Sequence, residues 1–354
     1  MGLDAEKGPG LDPNTFFSHE TRIIYGVLEM LCFLFGTTGS AIILAYFISK
    51  SKKTVSTFMY ILISFTDLLI SVFIFPCALS DLRFGAPVMF ASRGFCNLWG
   101  YIWFVSSKMS IFLIAVLSIA RTVSLTVPFW KVKHLHVIIP LVGYFFILLF
   151  QYSLPFLFGT KQGYQYYSWF VACGFYGSNI FPVNSVPYRI FHYWQFLVTN
   201  VLSMPLIIVS CLISIYKLRT DSSTLRNSEG GKMKRQATLT ITVLTLIYII
   251  LHGPLCLSWL IWSNETTAGI YKNALGDDTM RIDKFLAVPS VALNSLLNVA
   301  AYFWRIKGLR LYVKEIVRGV RRAVWRGYQD SQGPVEVNTI EVNLTCASVM
   351  TTSM

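Results

Sequence analysis

A few polar residues lie inside long apolar stretches of the chain, and their types and spacing allow a specific chemistry. Asp67 lies in the middle of one such stretch, and Ser110 lies in a second. A third stretch carries Asn294, Ser295 and Asn298 at helical spacings of three and four residues. A carboxylate surrounded by apolar residues needs a cation or hydrogen-bond donors, or it is protonated. The pattern therefore predicts that these polar residues face the interior of a helix bundle rather than the lipid.

A polar stripe in the stretch around Ser110 ends at an arginine. Its members recur every three or four residues and so share one helical face, which must turn toward other helices. They are Trp103, Ser107, Ser110, Ile114, Leu117 and Arg121. Lys108 lies about 100° away from this stripe and could pair with a carboxylate, bind an anionic ligand group or extend to the membrane surface. Arg121 could likewise extend to the lipid headgroups or act on a partner at the membrane surface.

The composition excludes several classes of function. Of the 354 residues, 54% are hydrophobic and 13% are charged, which is too little charge to cover a soluble domain of this size. The sequence contains no nucleophile–base pair, metal-binding cluster or phosphate-binding loop, so we predict that the protein is not an enzyme. The net charge of +13 does not indicate nucleic-acid binding, because the basic residues cluster in short segments between apolar stretches.

The apolar stretches are long enough to cross a bilayer as helices, which takes about 20 residues each. Helices satisfy the backbone where no water is available, and the stretches are too long for barrel strands. We therefore predict an all-α fold, a seven-transmembrane helix bundle. The predicted spans are Ile23–Ser49, Thr57–Ser80, Cys96–Val127, Leu135–Phe158, Phe191–Tyr216, Ala237–Trp262 and Phe285–Trp304.

The distribution of Lys and Arg predicts the orientation in the membrane. These residues concentrate after the first, third and seventh spans and between the fifth and sixth, which identifies the cytoplasmic side. Residues 1–22 are then an extracellular tail, and residues 23–305 are a domain that crosses the plasma membrane and leaves the C-terminus in the cytoplasm. Asn264 begins a glycosylation sequon on the predicted outer side.

The segment after the last span has the pattern of a short amphipathic helix. Over residues 306–326, apolar residues recur every three or four positions with arginines between them. We predict a helix on the inner membrane surface, with a basic disordered segment as the alternative. Residues 327–354 are predicted to be a disordered tail. Its Ser and Thr residues could be phosphorylated and bind arrestin, and the end Thr352–Met354 weakly resembles a PDZ ligand. An inert tail is the alternative for both.

Together these features resemble the rhodopsin-like (class A) G-protein-coupled receptors over the chain up to about Arg326. The order and spacing of several short motifs carry the resemblance. They are Ser64–Leu69 around Asp67, Cys96 at the third span with Cys173 in the second outer loop, Ile119–Thr122 followed by Pro128, the span prolines Pro155, Pro205 and Pro254, and Leu293–Tyr302.

The chain departs from the family pattern at residues associated with switching. The departures are Ser40 for an asparagine, Ala120 for the acid before Arg121, Thr122 for the tyrosine after it, His252 for a tryptophan and Val299 for a proline. Because these positions govern activation in the family, the resemblance implies altered switching on an intact fold.

The resemblance implies a receptor that binds an extracellular ligand and activates a heterotrimeric G protein. It implies a disulfide between Cys96 and Cys173. It implies a sodium pocket formed by Asp67, Ser110, Asn294, Ser295 and Asn298. It implies coupling and switch roles for Arg121, Phe129, Lys234, His252, Pro254 and Tyr302. Since Ala120 leaves Arg121 without an adjacent acid and Lys234 would repel it, we expect raised basal activity.

The resemblance also constrains the ligand. Trp103 stands where amine receptors carry an aspartate, so a monoamine is not expected. Ala292 stands where opsins carry the retinal-linking lysine, so no retinal Schiff base and no cofactor besides a sodium ion are expected. We place the ligand pocket at Trp103, Ser107, Lys108 and His252, and expect a peptide or a small lipid-like molecule.

Two alternatives stay open at this point. The lost switch residues would suit a constitutively active or non-signalling receptor-like protein. A seven-span transporter or channel is the other alternative, although the sequence shows no matching inverted halves.

Overall fold

The computed structural model describes residues 19–50, 54–83, 92–127, 132–158, 165–167, 172–174, 203–220, 229–263 and 278–331. Over these ranges the chain forms nine helices and two short antiparallel strands. The elements are α1 (His19–Ser49), α2 (Val55–Phe73), α3 (Phe75–Leu82), α4 (Arg93–Thr126), α5 (His134–Phe158), β1 (Gln165–Tyr167), β2 (Ala172–Gly174), α6 (Ser203–Thr220), α7 (Glu229–Ser263), α8 (Asp278–Arg305) and α9 (Lys307–Ser331).

Two of the helices begin where a short polar side chain caps them. Thr54 precedes α2, and its hydroxyl oxygen accepts a hydrogen bond from the Thr57 backbone N–H at 3.2 Å. Ser92 precedes α4 and accepts from the Phe95 N–H at 3.5 Å. Such caps satisfy N–H groups that have no partner inside the helix.

The predicted second span is two helices, because Pro76 interrupts it. Proline has no N–H, and the ladder shifts so that the Cys77 N–H bonds to the Ile74 carbonyl instead of the Phe73 carbonyl. The indole Nε1 of Trp99 on α4 donates to that freed Phe73 carbonyl at 2.6 Å. A side chain of the third span therefore satisfies the break in the second.

The bundle is organised around α4, which contacts α2, α5, α6 and α7. The last span, α8, packs against α1, α2 and α7. Glycines allow the closest approaches of α1. A Cβ added at Gly39 would collide with the Val299 side chain on α8, and one added at Gly36 would collide with the Ser71 hydroxyl on α2. The positions of α2 and α8 relative to α1 thus depend on residues without side chains.

Several predicted boundaries differ from the structure. Helix α1 starts at His19, inside the predicted tail, and α7 extends from Glu229 to Ser263. The start predicted for the fifth span lies outside the described residues. The second outer loop, which follows the fourth span, contains the strands β1 and β2, and the sequence did not predict them. Five helical stretches in the described residues are long and apolar enough to cross a membrane, and a shorter apolar helix covers Thr238–Pro254.

The helix after the last span is longer than predicted. It runs to Ser331, so residues 327–331 of the predicted disordered tail are helical. The extension begins with Gly327 and contains no proline, so the helix continues through residues that the apolar pattern did not include. The chain divides into two compact units, Met1–Leu309 and Arg310–Met354. Most of α9 belongs to the second unit, where Val317, Val320 and Trp325 are exposed.

Candidate functional site: a polar core inside the bundle

Asp67 on α2 is the centre of a buried hydrogen-bonded group. Only 1% of this residue is exposed. The hydroxyls of Ser110 and Ser295 donate to its Oδ1 at 3.4 and 3.2 Å, and the Asn298 Nδ2 donates to its Oδ2 at 3.0 Å. The structure therefore brings together residues of three spans that the sequence motifs had grouped.

Further buried oxygen atoms lie on the two helices that carry Asp67 and Asn298. Asn294 is 3% exposed, and its Oδ1 has no hydrogen-bond partner within the described part of the chain. The same holds there for Asn298 Oδ1 and Ser64 Oγ. Buried oxygens without donors cost free energy, about 1–3 kcal/mol each, unless a cation or water meets them. The donor set of carboxylate, hydroxyl and amide oxygens fits a sodium ion. No group of three His, Cys, Asp or Glu side chains among the described residues could hold another metal.

An aromatic layer lies between this polar core and the inner end of the bundle, which is the end predicted to face the cytoplasm. Tyr302 packs edge-on against Tyr60 at 5.4 Å and against Phe47 at 6.2 Å, and Phe47 stacks on Tyr60 at 5.1 Å. Tyr302 is 1% exposed. Tyr302, which is predicted to be a switch residue on α8, thus packs against two other rings, one from α1 and one from α2.

Hydroxyl groups join α4 to α6 and α7 at the inner end, and sequence reasoning missed them. The Arg121 Nε donates to the Thr238 hydroxyl at 2.9 Å. Ser118 and Thr245 share a hydrogen bond of 3.0 Å between their hydroxyls. Thr122, which stands in place of a tyrosine, donates to the Ser210 carbonyl at 3.1 Å and lies 3.1 Å from the Ser214 hydroxyl. The regular spacing of Ser and Thr near the inner ends of α4, α6 and α7 was the sequence pattern that could have indicated these contacts.

The outer half of α4 carries stacked indoles. Trp99 and Trp103 are parallel, with ring centroids 5.3 Å apart. Both are buried in a cluster that includes Ala292 of α8. Ser107, one turn inward, donates to the Trp103 carbonyl at 2.6 Å. Of the predicted ligand pocket, Trp103 and Ser107 lie together on the inner face of α4.

His252 joins the other side of that predicted pocket. It is 4% exposed and stacks on Tyr248 of α7 at 4.5 Å. Lys108, the remaining predicted pocket residue, lies on α4 and is half-buried. Pro254 lies inside α7, two residues beyond His252.

A second set of buried charges lies at the outer ends of α1 and α3. Arg22 and Glu29 are 3% exposed and Asp81 is 2% exposed. The carboxylates of Asp81 and Glu29 both act electrostatically on Tyr25. The sequence prediction placed Arg22 in the tail and did not assign Asp81 to the core.

Cys96 and the strand β2 lie on the outer side of α4. Cys96 is buried and disulfide-bonded, and β2, which contains Cys173, contacts α4. Cys32 and Cys211 carry free thiols. Several predicted site residues lie outside the described residues: Phe129, Asn264, Thr352–Met354 and the side chain of Lys234.

The family of the chain follows from comparison with known proteins. The family model described as 7 transmembrane receptor (rhodopsin family) matches residues 39–298. The chain therefore belongs to the rhodopsin family of seven-transmembrane receptors, the family of G-protein-coupled receptors that the motifs resemble. This is a family of receptors, and the protein is not an enzyme.

Individual relatives match parts of the chain. The C3a anaphylatoxin chemotactic receptor of Danio rerio is 26% identical over 160 residues, which cover 44% of this chain and 42% of that receptor. The chemerin-like receptor 1 of Sus scrofa is 27% identical over 108 residues, covering 30% of this chain and 29% of the receptor. These matches span less than half the length of either relative.

A solved structure shares the fold. The crystal structure of squid rhodopsin superposes with a TM-score of 0.65 and covers 96% of this chain and 96% of its own, at 13% identity. The seven-transmembrane, all-helical fold predicted from the sequence is confirmed, and the protein is a multi-pass membrane protein.

Proposed function

We propose that the protein binds an extracellular ligand and transmits that event to a heterotrimeric G protein. The hydrogen bond between Arg121 and Thr238 carries the proposal, because it joins α4 to α7 at the end predicted to face the cytoplasm. In this proposal α7 moves away from α4 on activation, the bond breaks, and Arg121 contacts the G protein. Phe129, which follows in the next inner segment, adds an apolar contact.

The orientation in the proposal comes from the charge distribution. Lys and Arg concentrate in the segments joined to the inner ends of α1, α4, α6, α7 and α8. This places the N-terminus outside, the C-terminus in the cytoplasm and Asn264 on a side where it can be glycosylated. The plasma membrane is the proposed location. The amphipathic helix α9 lies on the inner leaflet in this arrangement, since its exposed apolar and basic residues suit an anionic membrane surface.

The hydroxyl of Thr238 helps to hold the inactive state in this proposal. Ala120 supplies no carboxylate to Arg121, and the hydroxyl of Thr238 takes that role. A hydrogen bond from a charged donor to a neutral acceptor contributes at most about 1.5–3 kcal/mol to the stability of the inactive state. A contribution of this size supports the expectation of measurable basal activity.

Asp67 is the proposed sodium-binding residue. Its carboxylate would supply the charge, and Ser110, Ser295, Asn294 and Asn298 would supply the remaining oxygens. An ion there would neutralise the carboxylate and hold α2, α4 and α8 together.

Cys173 is the proposed partner of Cys96. The chain has seven cysteines, and among the described residues Cys32, Cys77 and Cys211 are not disulfide-bonded. Of the others, Cys173 lies on β2, which contacts the helix that carries Cys96. The bond would tie the outer loop over the pocket of Trp103, Ser107, Lys108 and His252.

The names of two relatives bear on the class of ligand. The C3a anaphylatoxin receptor and the chemerin-like receptor are named for peptide ligands, which favours a peptide over a small lipid-like molecule here. Phosphorylated tail residues are proposed to bind arrestin, and Thr352–Met354 a PDZ domain.

Nucleotide exchange in membranes that contain the full chain and one purified G protein at a time tests the proposal. We expect exchange above that of mock membranes with at least one G-protein family. The variant Arg121→Ala should return exchange to the mock level. Exchange equal to mock with every G-protein family, together with normal folding, would identify a non-signalling receptor-like protein. Ion flux in liposomes would instead identify a transporter.

A further inference from the structure

Gln151 on α5 is a buried amide without a hydrogen-bond partner among the described residues. The residue is 1% exposed. Within the described part of the chain, neither its Nε2 nor its Oε1 forms a hydrogen bond. A primary amide has two donors and one acceptor, and leaving such groups buried without partners is unfavourable. A glutamine at this position therefore destabilises the protein unless a group outside the described residues meets it.

The backbone adds another acceptor at the same position. Pro155 lies four residues after Gln151 and has no N–H, so the Gln151 carbonyl loses the donor that an α-helix provides. Donors from the side chain and acceptors from both the side chain and the backbone therefore converge on one turn of α5. This turn lies near the outer end of the helix, which ends at Phe158.

Aromatic pairs between α4 and α5 fix the position of this turn. Phe104 stacks on Tyr152 at 5.5 Å and 7°, and Phe112 stacks on Tyr144 at 4.0 Å and 17°. Residue numbers rise along α4 while they fall along α5, so Gln151 lies at the level of Val105. Val105, Leu148, Tyr144 and Tyr152 form a buried cluster between the two helices at this level. The amide is thus placed beside a largely apolar contact of α4 with α5.

Two hydroxyl groups near this turn, those of Ser153 and Tyr101, have hydrogen-bond partners. The Ser153 hydroxyl donates to the Leu149 carbonyl of its own helix at 2.6 Å. The Tyr101 hydroxyl lies 3.4 Å from the same carbonyl and 3.5 Å from the Ser153 hydroxyl. Both groups already have partners, whereas the Gln151 amide has none among the described residues.

We propose that Gln151 binds an amide group of the ligand, either a peptide unit or a carboxamide, between α4 and α5. The ligand N–H donates to the Gln151 Oε1 or backbone carbonyl, and the ligand C=O accepts from Nε2. An amide is the group whose donor and acceptor match those of another amide at the same spacing. The proposal rests on the proposed function, since it supplies a specificity residue for the same extracellular ligand.

The test uses the purified full chain in lipid nanodiscs and three small probes, benzamide, benzoate and toluene, at millimolar concentrations. Thermal unfolding is measured for the wild type, for Gln151→Met and for Ser153→Ala. The methionine keeps the length of the side chain and removes its polar atoms. Ser153→Ala is the matched control, because it removes a neighbouring hydroxyl that already has a partner.

We expect benzamide, more than benzoate or toluene, to raise the melting temperature of the wild type. Without probe, Gln151→Met should melt several degrees higher than the wild type and should lose the benzamide shift, while Ser153→Ala keeps it. A melting temperature of Gln151→Met at or below that of the wild type, or a benzamide shift unchanged by the substitution, overturns the proposal. A larger rise in the melting temperature of the wild type with benzoate than with benzamide also overturns the proposal.

Two further measurements keep the result interpretable. Gln151→Leu repeats the test with a different apolar shape, so that a packing defect of the methionine variant can be recognised. Basal nucleotide exchange is measured in parallel for every variant. Normal exchange in the wild type together with a benzamide shift that is the same in the wild type and in Gln151→Met rejects the role of Gln151 alone, whereas absent exchange in the wild type rejects the proposed receptor function.

Discussion

Two polar regions of the bundle differ in how their hydrogen bonds are arranged. Around Asp67, donors from α4 and α8 converge on a single carboxylate. At the inner end, the bonds Arg121–Thr238, Ser118–Thr245 and Thr122–Ser214 are spread along α4 and join separate partners. Removing the centre of a convergent group leaves several buried groups without partners, whereas removing one member of a spread group leaves at most one. We therefore expect single substitutions in the first region to cause large losses of stability. In the second region we expect small effects, which add when the substitutions break different bonds.

The largest effect is expected at the centre of the convergent group. Asp67→Ala removes the acceptor of Ser110, Ser295 and Asn298 and should destabilise the protein by about 3 kcal/mol. Thermal unfolding in detergent or nanodiscs measures this. Asp67→Asn, which retains one oxygen acceptor, is the control and should unfold at a temperature between those of the wild type and the alanine variant. Both variants should abolish any stabilisation of the wild type by sodium over potassium. A wild-type melting temperature that does not respond to sodium would exclude the ion.

A second, smaller effect is expected at the glycine that lets α8 approach α1. Gly39→Ala places a methyl group against Val299, next to Asn298, and overpacking of this kind costs about 1–3 kcal/mol. The double variant Gly39→Ala/Val299→Ala should recover much of the loss in thermal stability. Equal losses in the single and double variants would show that the two side chains do not meet.

The inner region should respond more in activity than in stability. Thr238→Val removes the acceptor of the Arg121 Nε while keeping the side-chain shape. We expect basal nucleotide exchange to rise by at most about 10- to 150-fold, the range that corresponds to about 1.5–3 kcal/mol for a hydrogen bond from a charged donor. Thr240→Val is the control, since its hydroxyl donates to the Gln236 carbonyl of its own helix. A rise of the same size in the control would assign the effect to helix propensity rather than to the bond.

The smallest effect is expected one turn further from the inner end. Ser118→Ala and Thr245→Val each remove one side of a hydroxyl pair, and each should cost about 1 kcal/mol or less. The double variant should lose less than the sum of the two, because both substitutions break the same bond. Strictly additive losses in thermal unfolding would indicate that the bond contributes nothing.

The sequence predicted the convergent region much better than the spread one. An aspartate inside an apolar span is rare and costly, so the pattern marked Asp67 as a candidate functional residue, and the family resemblance associated it with the polar stripe of α8. The inner hydroxyls carried no such signal. Serine and threonine are tolerated in membrane helices because they can bond to their own backbone, as Thr122 does to the Ser118 carbonyl at 2.9 Å. Only the packing of α4 against α6 and α7 shows which of them also reach another helix.

Helix boundaries and the helix break were predicted less well for a related reason. Apolar length locates the part of a helix that lies within the bilayer, whereas α7 and α9 continue through polar sequence that carries no apolar signal. Pro76 signalled a break in the second span, but the partner of the freed carbonyl, Trp99, lies 26 residues away from Phe73. No local pattern could have assigned it.

The bond from Trp99 to the Phe73 carbonyl has a mechanical consequence. An indole N–H reaches one carbonyl at one height, so the bond fixes the axial register of α4 against α2. A slide of one residue, about 1.5 Å, would break it. The register held there is the one in which Ser110 reaches Asp67. A ligand that pushes on Trp103 is thus expected to rotate or tilt α4 about this point, because translation along the helix axis is resisted.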